Sequence, residues 1–210
     1  MFNEYDDFPI VKGVILSRKT MGENNLWVTL FLEGAGIMSL TSKDFKGDSE
    51  PFVWGEFYLR KKQKGTGYFI FDTDIKDCML HIRRGREPIE TAFNFSSLLI
   101  KYLPACHPDD ELLTNLYWSM KLLTVPSVPS SAVNWRFIWK WLEEWGIAPN
   151  FLPFHTAKGF NDEEIILLSK LSVMNYRGVI ELFSDRISPN VRENIFKVAS
   201  KLAIQFFNEK

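Results

Sequence analysis

Apolar residues alternate with polar ones through the first 77 positions, and from Glu87 onward they recur at helical spacing. A period of two marks half-buried strands, and a recurrence at three to four residues marks helices packed by one face. The alternating runs are Ile10–Lys19, Leu26–Leu32, Gly36–Thr41, Phe52–Lys62 and Gly67–Asp77, each rich in β-branched, aromatic or other large apolar residues and bounded by Gly, Asp, Asn or Ser. Lys64-Gly65-Thr66-Gly67 suits a hairpin between the last two. Short strands with no helix between them predict a small closed barrel, for which the five-stranded OB-fold is the natural candidate.

In the second part, Pro88 fits the first turn of a helix that runs to Pro104, and Pro108-Asp109 start another. The prolines of VPSVPSS break the pattern. Ser131 is then the expected N-cap of a helix over Ala132–Trp145, with Gly146 just past its end and Pro149 beyond. Start signals at Asp162 and Ser188-Pro189 predict helices near 163–175 and 189–208, with a shorter one at Arg177–Phe183. The fold class is therefore α+β: an OB-fold barrel over 1–80 and an all-helical domain over 81–210. Between them HIRRGRE carries Arg83, Arg84 and Arg86. It reads as a solvated linker or as an anion contact, the linker being the default for such a run.

Composition narrows the function. Aromatics make up 15% of the chain and apolar residues 46%, enough for a packed core. The net charge of −1 provides no global pull toward nucleic acid, so any such footprint must be local. Residues 1–80 hold ten Lys and Arg against twelve Asp and Glu, which reinforces the point. No apolar run approaches the roughly 18 residues of a bilayer span. The acidic start, MFNEYDDF, is unlike a signal peptide, so a cytoplasmic location is expected. Cys78 and Cys106 are expected to be free, largely buried thiols.

The fourth strand carries the best local signal. Alternation puts Val53, Phe57 and Leu59 on one face and Trp54, Glu56, Tyr58, Arg60 and Lys62 on the other. The second face joins aromatics, on which bases stack, to cations, which meet phosphates. Lys61 and Lys64 extend it into the following turn; Lys43 and Lys46 from the preceding loop and Arg18 and Lys19 from the first strand can add to it. These are the candidate nucleic-acid-binding residues. The competing reading packs Trp54 and Tyr58 against the helical part and leaves the lysines as solvated ends.

Two segments resemble the RecO family of bacterial recombination mediators. One is GVILSRKTMGENN with the strand WVTLF, Gly36 and the Glu50-Pro51-Phe52 that opens the fourth strand; the other is WRFIWKWLEEWGIAPNF at Trp135–Phe151. The resemblance implies an N-terminal OB-fold, a C-terminal helical domain and a non-catalytic role in recombinational repair. Implied partners are single- and double-stranded DNA, a RecR-like protein and the acidic tail of a single-strand-binding protein. RecO proteins commonly carry a longer basic loop before the fourth strand, where this chain has SKDFKGDSE, and many carry a cysteine cluster where this chain has only His155. No metal or cofactor is therefore expected. Cys78-x-x-His81 and Cys106-His107 lack the spacing of a zinc site.

Phosphate loops, dinucleotide fingerprints and nucleophile elbows are absent from the sequence, and its three histidines suggest no paired base. Asp72, Asp74 and Asp77 read as a solvated strand end rather than a metal cluster. Trp135, Trp139, Trp141 and Trp145 line a wide apolar arc, marking the Ala132–Trp145 helix as a core helix, with Arg136, Lys140, Glu143 and Glu144 as its polar strip.

Overall fold

The computed structural model describes residues 9–21, 25–43, 50–63 and 67–184. Five strands, β1 (Ile10–Met21), β2 (Asn25–Leu32), β3 (Gly36–Lys43), β4 (Trp54–Lys61) and β5 (Tyr68–Asp77), close into a barrel in the order β1-β2-β3-β5-β4. Neighbours are antiparallel except β3 and β5, which run parallel. The helices that follow are α1 (Arg86–Tyr102), α2 (Asp110–Leu123), α3 (Ser130–Glu144), α4 (Phe151–Ala157), α5 (Asp162–Val173) and α6 (Tyr176–Ser184). The architecture is α+β, an OB-type barrel leading into a helical region. Among the described residues no helix is long and apolar enough to cross a membrane.

The chain divides into two compact units, Met1–Leu80 with Phe93–Leu113 and His81–Ala92 with Thr114–Lys210. It thus passes between them three times, where the sequence offered one boundary at 80/81.

In the first unit, alternation delivers Val11, Ile15, Val28, Leu30, Val53, Phe57, Leu59 and Ile70 to the barrel interior. Three bulges interrupt the ladders, at Leu16 on β1 and at Phe71 and Lys76 on β5. Each adds an unpaired residue and bends its strand, which is how a short sheet turns the corners of a barrel. One side of the barrel is apolar on its outside as well: Val14, Leu16, Phe31, Ile37, Phe52 and Trp54 are all buried. The returning segment Phe93–Leu113 packs there. Phe93 meets Phe52 edge-on at 4.9 Å, Ala105 bridges Ile37, and the Cys106 N–H donates to the Ile37 carbonyl at 3.0 Å. The Gly34 N–H donates to Asp110 Oδ1 at 2.7 Å.

The second unit is organised around α3. Pro129, not Ser131, is its N-cap, and Ser131 is buried inside the first turn. Its C-terminus follows the expectation: Gly146, at φ 67°, donates to the Glu143 carbonyl and Ile147 to that of Leu142, the paired bonds of a Schellman stop. Arg136, expected on the polar strip, is buried instead; its Nη2 donates to the Met174 carbonyl at 3.0 Å, and burial lowers its pKa from the usual arginine value. Helix α5 starts on a full capping box between Asn161 and Glu164. The predicted helix at 189–208 lies outside the described residues.

Helix α4 occupies a stretch for which the sequence predicts no element and brings His155 into an aromatic cage. The ring is fully buried, with Phe151 at 4.2 Å, Trp139 at 5.0 Å, Phe154 at 5.2 Å, Phe160 at 5.4 Å and Trp135 at 5.6 Å between centroids. Its Nδ1–H donates to the Phe151 carbonyl at 2.6 Å, which leaves the lone pair on Nε2. Burial lowers the pKa from 6.5, with the Phe151 bond opposing in part. The folded imidazole therefore binds a proton less readily than the unfolded one. Its contribution to stability is complete above about pH 6.5 and is lost as pH falls from there through the depressed folded value. Thermal unfolding at pH 7.5 and pH 5 should show a larger Tm loss in the wild type than in His155→Gln, and equal losses would show that this histidine is not coupled to folding.

Candidate nucleic-acid interface

Strand pairing assembles an outward row that no single strand reveals. Lys19 lies opposite Trp27, Trp27 opposite Thr41, Thr41 opposite Phe69, and Phe69 opposite Arg60. Directly opposed residues project from the same face of a sheet. The neighbouring row, Leu26, Ser42, Ile70 and Leu59, points inward. Lys19 and Arg60 are exposed, Trp27 is 40% exposed, and Thr41 and Phe69 are half-buried. At the usual interstrand spacing of about 4.8 Å the row covers roughly 19 Å around the barrel. It lies on the β2–β3 face, flanked by the β1–β2 and β4–β5 ends, which is where OB-folds bind oligonucleotides and oligosaccharides.

The β5 bulge adds to it. With one extra residue between Ile70 and Asp72, Phe71 turns outward and is 58% exposed, and the Arg60 guanidinium lies 4.7 Å from its ring centroid. A cation over an aromatic face holds that ring in place and adds about 0.5–1 kcal/mol at exposed sites. Lys61 is exposed and Lys62 half-buried at the end of β4, where the Lys62 N–H donates to the Gly67 carbonyl at 3.0 Å.

The remaining sequence candidates distribute differently. Trp54, expected on an exposed stripe, is only 9% exposed and belongs to the apolar outer side with Val14, which it faces across the β1–β4 pair. It offers no face for a base. The fourth-strand alternation was read correctly, but it could not tell which end of the outer stripe would be covered. Tyr58 is half-buried and directly opposite Asp72, a poor position beside a phosphate chain. Arg18 is ion-paired with Glu50. Lys43 ends β3 opposite Asn25; its side chain, with Lys46 and Lys64, lies outside the described residues.

Trp27, Phe69 and Phe71 are the members the sequence reading missed. Trp27 carried a signal, being an aromatic out of phase with the inward set Leu26, Val28, Leu30 and Leu32. Phe71 carried none, because only the bulge turns it outward. Along the outside of β4 and β5 beyond this site the charge changes sign: Glu56, Asp72, Asp74 and Asp77 stand against Lys12 and Lys76. Lys76 bonds Asp74 at 2.5 Å and lies 3.6 Å from Glu56, and its pKa is raised chiefly by the Asp74 hydrogen bond. Cys78 and Cys106 are free thiols, but not the buried ones expected, since Cys78 is half-buried and Cys106 exposed; no group of three metal-ligating side chains occurs among the described residues. No family model and no curated protein matches this chain.

Proposed function

We propose that this chain is a RecO-like DNA repair and recombination mediator, which binds DNA on its barrel without catalysis and works in the cytoplasm. The observation that carries the proposal is the Lys19–Trp27–Thr41–Phe69–Arg60 row on an OB-type barrel that leads into a helical region. Aromatic faces take stacked bases while the flanking cations take phosphates, and neither needs a reacting group. The resemblance adds the wider role. The barrel would hold single or double strands and promote their annealing. The helical region would receive a RecR-like partner and the acidic tail of a single-strand-binding protein, so that recombinase is loaded onto coated DNA.

A second reading, a protein-interaction scaffold with little DNA affinity, draws on the carboxylates along β4–β5 and on the Arg18–Glu50 ion pair. Anisotropy of labelled oligo-dT across a salt series separates the two. Lys19, Arg60, Lys61 and Lys62 together predict micromolar or tighter binding whose log–log salt slope is about −3, at roughly 0.7 ions per contact on single strands. Absence of binding at low salt would favour the scaffold.

A further inference from the structure

We infer that the carboxylates on the outer face of β4–β5 act as an electrostatic fence, which confines a bound strand to a short path across the β-strands and selects single-stranded over duplex DNA. The inference rests on the DNA-binding reading of the same row. Its basis is the asymmetry of charge on the two sides of the barrel. On the β2–β3 side the next outward residues are hydroxyls, Thr29 and Ser39, which hydrogen-bond each other at 3.2 Å. On the β4–β5 side the chain meets Asp72, exposed and directly opposite Tyr58, and then Asp74 opposite Glu56, two carboxylates that share the one Lys76 ammonium and so keep a net negative charge with Asp72.

A strand lying on Trp27, Phe69 and Phe71 can run from Arg60 toward Lys19, cation to cation. It cannot continue down β4 toward Trp54 without laying phosphates over these carboxylates, where like charges repel. The accessible track is therefore the row itself, and its roughly 19 Å suits a site at the small end of the 4–16 nucleotides known for OB-folds. A duplex hides its base faces from Trp27 and brings a second phosphate chain over the fence. It loses the stacking and gains the repulsion.

Asp72→Asn/Asp74→Asn tests this without disturbing the fold. Asn keeps the Oδ1 that accepts the Thr73 N–H at 2.8 Å, and Glu56 remains beside Lys76. Affinities for dT oligomers of increasing length from about 4 to 16 nucleotides, and for a duplex, are measured by anisotropy at fixed low salt. For the wild type, affinity should level off by about six nucleotides, with the duplex at least about tenfold weaker than the long oligomer. For the variant, affinity should keep rising with length and the duplex penalty should shrink severalfold. Identical length dependence and duplex ratio in the two proteins would overturn the fence while leaving DNA binding intact. If neither protein binds any oligomer, the DNA reading itself fails, and the fence with it.

Discussion

Gly36→Ala should destabilise the barrel unit by about 3 kcal/mol, whereas Gly34→Ala, two residues away, should remove only about 1 kcal/mol. Both glycines have positive φ, 76° and 65°, so an L-residue at either bears a left-handed penalty of roughly 1–2 kcal/mol. They differ in what surrounds them. A Cβ on Gly34 meets nothing within 4 Å, but one on Gly36 would sit 2.5 Å from the carbonyl carbon of His107, inside the backbone of the returning segment. That backbone is held in place by the Ile37–Ala105 bridge and the Cys106 N–H bond, so it cannot yield without losing them. Overpacking against a fixed backbone adds about 1–3 kcal/mol to the conformational penalty. Melting curves of the two variants should separate by several degrees, at roughly 2–4 °C per kcal/mol for a chain of this size. Equal shifts would mean that the Phe93–Leu113 segment is not packed on β3 as the structure has it.

Gly36 also shows how much of this fold the sequence discloses. A glycine in a short turn before a strand predicts the turn, and the turn is there. It says nothing of a segment seventy residues later that needs the missing side chain. The same boundary recurs elsewhere. Alternation located all five strands because one face of each is buried in the barrel, a local property of the chain. The parallel pairing of β3 with β5 is not local, and it is this pairing that sets Phe69 beside Thr41 and completes the row. Helix α4 was hidden because the Phe-rich NFLPFHTA has no polar face to give a period; its helical state follows from packing around His155. Ser131 had the chemistry of a cap, but the helix begins two residues earlier than expected, at Ser130, and burial claims the Ser131 side chain. At the site, Lys19 and Arg60 were legible from type and phase. Trp54 and Trp27 have the same residue type and the same outward phase, and only the fold reveals that one is covered.

Those two tryptophans provide the sharpest test of the assignment. Trp27→Ala should leave the melting temperature within a few degrees and weaken oligo-dT binding about 5- to 150-fold, the loss of one stacked base at roughly 1–3 kcal/mol. The side chain is 40% exposed, so its removal opens no cavity. Trp54→Ala should do the reverse. At 9% exposure the indole is part of the packed outer side with Phe52 and Val14, and truncating it leaves a void worth about 3–5 kcal/mol. The melting temperature should fall on the order of 10 °C. Measured well below that temperature, where the variant is folded, its affinity for oligo-dT should match the wild type within about twofold, since Trp54 is 9% exposed and lies at the opposite end of β4 from Arg60. The crossing of the two effects is what places the interface. If Trp54→Ala loses binding while folded, the DNA path runs down β4, through the carboxylates, and the row is the wrong surface. If Trp27→Ala binds like the wild type, stacking on β2 plays no part, and the cations alone must account for whatever affinity the barrel has.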